Sequence, residues 1–140
     1  MSIQTNQAIA RRYLADFWNV GDTSAISEIV AVDAVGHVAG QRITAGPKML
    51  LARRASLLGI YTNPTVTLED EIATGDKVVL RWTFRGKHTG TGAGVPPTGK
   101  EVVATGINIF RIVDGKIAEL WVESDDLGEQ RQLGVIPTKN

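Results

Sequence analysis

Residues 94–134 read GVPPTGKEVVATGINIFRIVDGKIAELWVESDDLGEQRQLG, and they contain the clearest fold signal in the chain. Two runs of alternating apolar residues flank Asp114-Gly115, a dipeptide that favours the positive φ angles of a two-residue hairpin turn. The stretch therefore predicts an antiparallel hairpin, preceded by a loop rich in proline and glycine and followed by a short tail.

The two faces of this predicted hairpin differ. If Val113 pairs with Lys116, counting backwards places Asn108 opposite Trp121 and brings Asp125 to the same face. The other face is purely apolar and carries Ile107, Ile109, Leu120 and Val122. We expect the Trp121 face to line a pocket and the apolar face to contact another subunit. This predicts a homodimer, or a higher homo-oligomer, formed through the sheet.

Upstream of the hairpin, the pattern predicts helices first and strands afterwards. Residues 5–20 repeat apolar side chains at helical spacing, and further helices are expected from Asp22 or Thr23 to Val30 and from Thr44 to Gly59. A short strand is expected over residues 31–40, and period-two patterns predict strands on either side of a turn at residues 74–76. This order predicts an α+β fold, with a curved antiparallel sheet wrapped around the N-terminal helices.

Composition narrows the classes of function. The 140 residues predict one domain, and 15 Lys and Arg balance 15 Asp and Glu, which argues against nucleic acid or an anionic membrane as a partner. No stretch approaches the roughly 20 apolar residues of a membrane helix, and the N-terminus lacks a secretion signal. A cytoplasmic protein is therefore predicted. With no cysteine and two histidines, a metal site is not expected.

Asp125 is the candidate for proton transfer. On the Trp121 face it would reach a partly apolar cavity, where desolvation favours the protonated carboxyl and suits it to acid/base chemistry. The neighbouring Asp126 should point to the opposite face, as a surface or capping residue. The alternative is that both acids only form a solvated strand end.

Other candidate side chains each have two readings. His88 and His37 each lie within two residues of a glycine and could relay protons, although a lone histidine is more often structural. Arg81 is either a surface arginine or a cation that pairs with an acid or a substrate oxygen. Asn108 either binds a ligand carbonyl or anchors another side chain. Three tryptophans are core residues or pocket walls for a flat apolar ligand: Trp18, Trp82 and Trp121.

Three motifs, GKHTG, GVPPTGK and FRIVDGKIAELWVESDDLGEQRQLG, together resemble the SnoaL-like polyketide cyclases, or ester cyclases, of the nuclear-transport-factor-like superfamily. The resemblance covers most of the chain, and the C-terminal block is its most specific part. That block departs from the leucine-rich family pattern at Glu129, Gln130 and Arg131. The resemblance implies a cone-shaped α+β barrel with a deep pocket, frequent oligomers, and an acid/base mechanism without a cofactor.

The resemblance also assigns roles to residues. In the cyclases, an aspartate four positions after a strand tryptophan acts in the aldol closure of a polyketide ester, and Asp125 stands four positions after Trp121. It implies Asp125 as the base, His88 or Asn108 as the donor, and His37 near the cavity. The expected ligand is a small hydrophobic or carbonyl-bearing molecule. The alternatives are an epoxide hydrolase with a relay through Arg81, a ketosteroid-type isomerase, and a non-catalytic ligand-binding dimer.

Overall fold

The computed structural model describes residues 2–92 and 94–137. The N-terminal half consists of α1 (Ile3–Arg12), a π-helical segment (Tyr13–Val20), α2 (Thr23–Ile29), β1 (Val30–Val38), β2 (Gln41–Thr44) and α3 (Pro47–Ile60). The C-terminal half consists of β3 (Tyr61–Thr74), β4 (Lys77–His88), β5 (Glu101–Val113), β6 (Lys116–Ser124) and α4 (Asp126–Leu133). Helices precede most of the strands, as the sequence predicts.

The strands form one curved, unclosed sheet in the order β2-β1-β6-β5-β4-β3. All neighbouring strands are antiparallel except β1 and β6, which are parallel. The α+β prediction is confirmed. The Asp114-Gly115 turn is also confirmed, because the two residues have φ angles of 51° and 79° and Val113 pairs with Lys116.

Local signals explain most helix ends. Asp22 caps α2 by accepting a hydrogen bond from the N–H of Ser24, and Gly21 ends the preceding segment at a φ of 82°. The third helix begins later than predicted. Gly46 is its N-cap and Thr44 ends β2, so Thr44 was wrong as the cap. The predicted C-terminal tail is the helix α4.

The helices cover one face of the sheet, which we call the inner face. Its strands contribute Val78, Leu80, Phe110 and Leu120, which pack against Phe17 and other helix residues. Complete burial of such a side chain contributes about 1.5–3 kcal/mol to folding. A smaller cluster lies beneath α4 and consists of Tyr61, Phe84, Val102, Ala104 and Leu133.

A β-bulge near the turn changes the predicted faces of the hairpin. Ile112 pairs with Ile117, but Arg111 pairs with Glu119, so Ala118 is an extra residue in β6. Asn108 consequently lies opposite Val122, and Ile109 lies opposite Trp121. The predicted register was wrong by one residue, and a one-residue slip exchanges the two faces of a strand.

The corrected register also changes which apolar residues share a face. Leu120 and Val122 belong to the inner face, whereas Ile107, Ile109 and Trp121 belong to the outer face. No helix among residues 2–92 and 94–137 combines the length and the apolar character needed to span a bilayer.

Candidate functional site

A cavity of about 220 Å³ opens between the inner face of the sheet, the π-helical segment, α3 and α4. Its walls are mostly apolar and include Leu14, Leu50, Leu57, Val66, Phe84, Leu120 and Val122. Trp18 and Trp82, both predicted as pocket walls, also line it. Polar side chains concentrate where β6 ends and α4 begins: Ser124, Asp125, Asp126 and Glu129. The cavity therefore has an apolar body and an acidic rim.

Asp125 lies on this rim as the N-cap of α4. Its Oδ1 accepts a hydrogen bond from the N–H of Gly128 at 2.9 Å, and its own N–H donates to the carbonyl of Thr105. A Cβ at position 128 would collide with the Asp125 carboxyl, so the glycine leaves room for that group. The side chain is exposed to solvent at the cavity mouth, so the expectation that its carboxyl is desolvated was wrong. The helix start thus fixes the carboxyl while leaving its Oδ2 free of hydrogen bonds from the described residues.

Asp126 also lines the cavity, and it accepts a hydrogen bond from the Ser124 hydroxyl at 2.8 Å. This corrects the expectation that it points to the opposite face. Strand alternation ends at Ser124, so both acids lie in the turn into α4. The capping residue is Asp125 and not Asp126.

Asn108 lies on the cavity wall with a fixed amide orientation. It is 3% exposed, and its Oδ1 accepts a hydrogen bond from Trp82 Nε1 at 2.6 Å. Because an indole N–H can only donate, the amide oxygen must face Trp82 and the amide nitrogen must face away. That nitrogen has no hydrogen-bond acceptor among the described residues. Asn108 therefore brings two unused N–H donors to an otherwise apolar wall.

Tyr13 lines the cavity, although it lies in the helical apolar pattern of residues 5–20 and was not a candidate site residue. Burial raises the pKa of its phenol, and this effect outweighs the opposing influence of the Trp18 indole and the Arg53 charge. The phenol therefore remains neutral and keeps its O–H donor. Arg53 of α3 also lines the cavity and was likewise missed. For Tyr13, the sequence contained one hint: a tyrosine stands in an apolar helical pattern, and a buried phenol hydroxyl usually needs a polar partner.

Glu129 is a further residue that sequence reasoning did not assign to the site. It lines the cavity, and the Tyr61 hydroxyl donates to its Oε2 at 2.6 Å. Burial raises the pKa of Tyr61, and the hydrogen bond to Glu129 and its charge raise it further. The signal in the sequence was the polar character of residues 129–131.

His88 is not among the described residues that line the cavity. It is fully buried, and its Nδ1 accepts a hydrogen bond from the N–H of Thr98 at 3.1 Å. Backbone hydrogen bonds to Gly99 and Lys100 hold the same loop against β4. This arrangement matches a structural histidine, and the position of His88 gives no support to its predicted catalytic role.

His37, Trp121 and Arg81 lie on the outer face, with the sheet between them and the cavity. The His37 ring stacks on Trp121 with centroids 5.1 Å apart, and its Nε2 donates to Glu119 at 2.6 Å. Arg81 is exposed and lies opposite Ile107. The bulge at Ala118 explains the position of Trp121. None of these three residues is among the described residues that line the cavity, so their predicted ligand contacts have no support from its geometry.

Glu119 joins two cations on the outer face. The hydrogen bond from His37 lowers the pKa of its carboxyl, and the hydrogen bond and charge of Arg111 lower it further, against a smaller opposing effect of burial. The Arg111 Nε lies 3.1 Å from the other carboxyl oxygen. This cluster fixes the outer surface of β6 beside β1.

Comparison with known proteins places the chain among relatives of one kind. A profile of the SnoaL-like polyketide cyclases matches residues 8–133. The aklanonic acid methyl ester cyclase DnrD of Streptomyces peucetius is 29% identical over 126 residues, which are 88% of this chain and 87% of DnrD.

Two solved structures extend the likeness to the whole fold. AclR of Streptomyces galilaeus, described as a candidate hydroxylase, superposes with a TM-score of 0.88 at 25% identity, covering 99% of this chain and 87% of AclR. IdmH of Streptomyces antibioticus, a candidate polyketide cyclase, gives a TM-score of 0.82 at 29% identity, covering 92% of this chain and 98% of IdmH. These relatives share a fold while differing in the reaction attached to their names.

Proposed function

The chain belongs to the SnoaL-like polyketide cyclase family, and from this membership we propose that it is a cofactor-independent cyclase. The proposed reaction is an intramolecular aldol addition within a polyketide-like ester. One observation carries the proposal: a carboxylate acceptor, Asp125, and an oriented amide donor, Asn108, line the same apolar cavity. These are the two kinds of group that the reaction needs.

The steps balance without an oxidant or a reductant. Asp125 takes a proton from a carbon that lies between two carbonyl groups, which leaves an enolate. The enolate carbon then forms a bond to a second carbonyl carbon of the same molecule, whose oxygen becomes an alkoxide. The N–H groups of Asn108 and the phenol of Tyr13 stabilise this charge, and the proton held by Asp125 returns to the oxygen.

The charges around the cavity favour a neutral substrate. The rim carries three carboxyl groups, those of Asp125, Asp126 and Glu129. Among the described residues that line the cavity, only Arg53 is cationic. A substrate carboxylate would be repelled by this rim, whereas the corresponding ester would not. The name of DnrD specifies a methyl ester. We therefore propose an ester as the substrate of this chain.

The same groups could transfer a proton without closing a ring, which would be an isomerase reaction. The two reactions differ in their products, because only the cyclase forms a carbon–carbon bond. A hydrolase relay through Arg81 has no geometric support, since Arg81 lies on the outer face. A non-catalytic binding protein would bind the ester and release it unchanged.

The proposed assembly is a homodimer formed through the outer face of the sheet. One apolar row crosses four neighbouring strands of this face, because each of its residues pairs with the next: Ile72, Val79, Ile109 and Trp121. Ile72 is 60% exposed and Ile107, beside this row, is 43% exposed. Large exposed apolar side chains grouped on a sheet favour contact with a second copy.

The decisive experiment compares turnover of aklanonic acid methyl ester by the wild type and by Asp125→Asn. Asparagine is also a good N-cap, so α4 should remain folded while the base is lost. We expect the turnover rate to fall by about 10²–10⁴-fold. NMR of the product separates ring closure from isomerisation, because both reactions conserve mass and only ring closure forms a carbon–carbon bond.

The matched control is Asp33→Asn, which makes the same change at an exposed position on β1 and should leave turnover unchanged. Undiminished turnover by Asp125→Asn would contradict the proposed base. A loss confined to Asp126→Asn would move that role to the neighbouring acid.

A further inference from the structure

Glu129 is held in the cavity wall by a buried partner. Tyr61 is 2% exposed, packs in the cluster beneath α4, and donates its hydroxyl proton to Glu129 Oε2 at 2.6 Å. Tyr61 itself is not among the described residues that line the cavity. A rigid phenol behind the wall thus fixes a carboxylate that faces the ligand space.

The other carboxylate oxygen of Glu129 has no donor among the described residues. Its near neighbours on the rim, Asp125 and Asp126, are acids that cannot donate when they are ionised. A ligand that fills the cavity would exclude water from this oxygen, and a carboxylate oxygen removed from water needs a hydrogen-bond donor. A ligand hydroxyl at this position would supply the missing donor.

We propose that Glu129 is a specificity residue that accepts a hydrogen bond from a hydroxyl group of the substrate, with Tyr61 as its positioning residue. The inference rests on the proposed function, because it takes a cyclisable polyketide-like ester as the ligand. A role for Glu129 places a requirement on the substrate that the aldol step does not: the end of the substrate nearest α4 must carry a free alcohol or phenol. A methyl ether at that position keeps the bulk but loses the donor.

The test uses two ring-matched probes, 2-hydroxyanthraquinone and 2-methoxyanthraquinone. Both absorb where tryptophan emits, and Trp18 and Trp82 line the cavity, so quenching of tryptophan fluorescence reports binding there. The titrations are run at a pH between the ordinary pKa values of a glutamate and of the phenolic probe. We expect the wild type to bind the hydroxy probe about tenfold more tightly than the methoxy probe, as for a hydrogen bond to a charged group.

Two variants remove the acceptor. Glu129→Leu leaves the Tyr61 hydroxyl without its acceptor, so the double variant Tyr61→Phe with Glu129→Leu is included, because it removes both partners. Both should bind the two probes with nearly equal affinity. Glu123→Gln removes a carboxylate from β6 at an exposed outer-face position and should keep the tenfold preference.

The outcomes separate this inference from the proposed function. Equal binding of both probes by the wild type, or an undiminished preference in the double variant, overturns the role of Glu129 and leaves the cyclase proposal standing. If neither probe quenches tryptophan fluorescence, the role of Glu129 is overturned, whereas the cyclase proposal is decided separately by the turnover of aklanonic acid methyl ester. A preference that is retained in Asp125→Asn but lost in Glu129→Leu supports recognition by Glu129 as a property separate from proton transfer.

Discussion

Two hydrogen-bond donors, the Trp82 indole and the Tyr61 hydroxyl, determine how the polar atoms of the cavity are oriented. Trp82 can only donate, so it turns the Asn108 oxygen away from the ligand and the nitrogen towards it. Tyr61 donates to one oxygen of Glu129 and leaves the other free. The partly buried Trp82 thus leaves an amide N–H of Asn108 facing the ligand space, and the buried Tyr61 leaves one oxygen of Glu129 facing it.

Outside the cavity, Glu119 leads to a prediction about stability and pH. Its pKa in the folded protein lies below the ordinary glutamate value of 4.5, chiefly because of the hydrogen bond from His37 and further because of Arg111. A lowered carboxyl pKa means that the stabilisation is present above the unfolded-state pKa and is lost as the pH falls through the folded-state pKa. The wild type should therefore lose stability below about pH 4.5 more steeply than Glu119→Gln.

Urea unfolding of both proteins between neutral and acidic pH measures this difference. Glu101→Gln, an exposed glutamate at the start of β5, is the matched control and should follow the wild-type curve. Parallel curves for the wild type and Glu119→Gln would show that the cluster has no pH-dependent effect on folding.

At the scale of elements, the β5–β6 hairpin shows which features of the fold can be predicted from the sequence. The Asp114-Gly115 turn, the alternation in β4 and the Asp22 cap all follow from short-range chemistry, and each could be predicted. The bulge at Ala118 could not, because neither residue type nor spacing marks it, and it exchanges the faces of β6 beyond that point. Trp121 and Asn108 were placed together for this reason, although Asp125 still reaches the rim through the turn into α4.

The glycine at position 106 leads to a second prediction at this scale. A Cβ built on Gly106 would collide with the Trp82 ring, so Gly106→Ala must move the indole that holds Asn108. We expect a loss of about 1–3 kcal/mol in the free energy of unfolding, as for other overpacked sites. Cavity ligands should also bind more weakly, and chemical denaturation and fluorescence titration measure the two effects.

Gly59→Ala is the control, since a Cβ there would meet open space and the residue lies within α3. It should be neutral or stabilising by about 0.5–1 kcal/mol, the usual gain from alanine in a helix. If both variants unfold at the same denaturant concentration, Gly106 is not required for the position of Trp82.

At the scale of the whole molecule, one sheet has two unlike surfaces. The inner face is covered by helices and encloses the cavity, whereas the outer face carries the apolar row of Ile72, Val79, Ile109 and Trp121. An antiparallel sheet with helices on one side usually leaves its other side polar. The apolar row is therefore the feature of this fold that favours contact with another chain, and we propose that this chain is a second copy of the protein.

Ile107→Lys tests this dimer. The new lysine would lie between Arg81 and Glu123 in the paired strands, so its charge is tolerated in a monomer, but a dimer would have to bury it. Sedimentation velocity over a range of concentrations should show a dimer for the wild type and a monomer for this variant. Val32→Lys, which adds the same charge at a position 90% exposed on β1, should remain dimeric. A wild type that stays monomeric at every concentration would refute the dimer, and the apolar row would then face solvent.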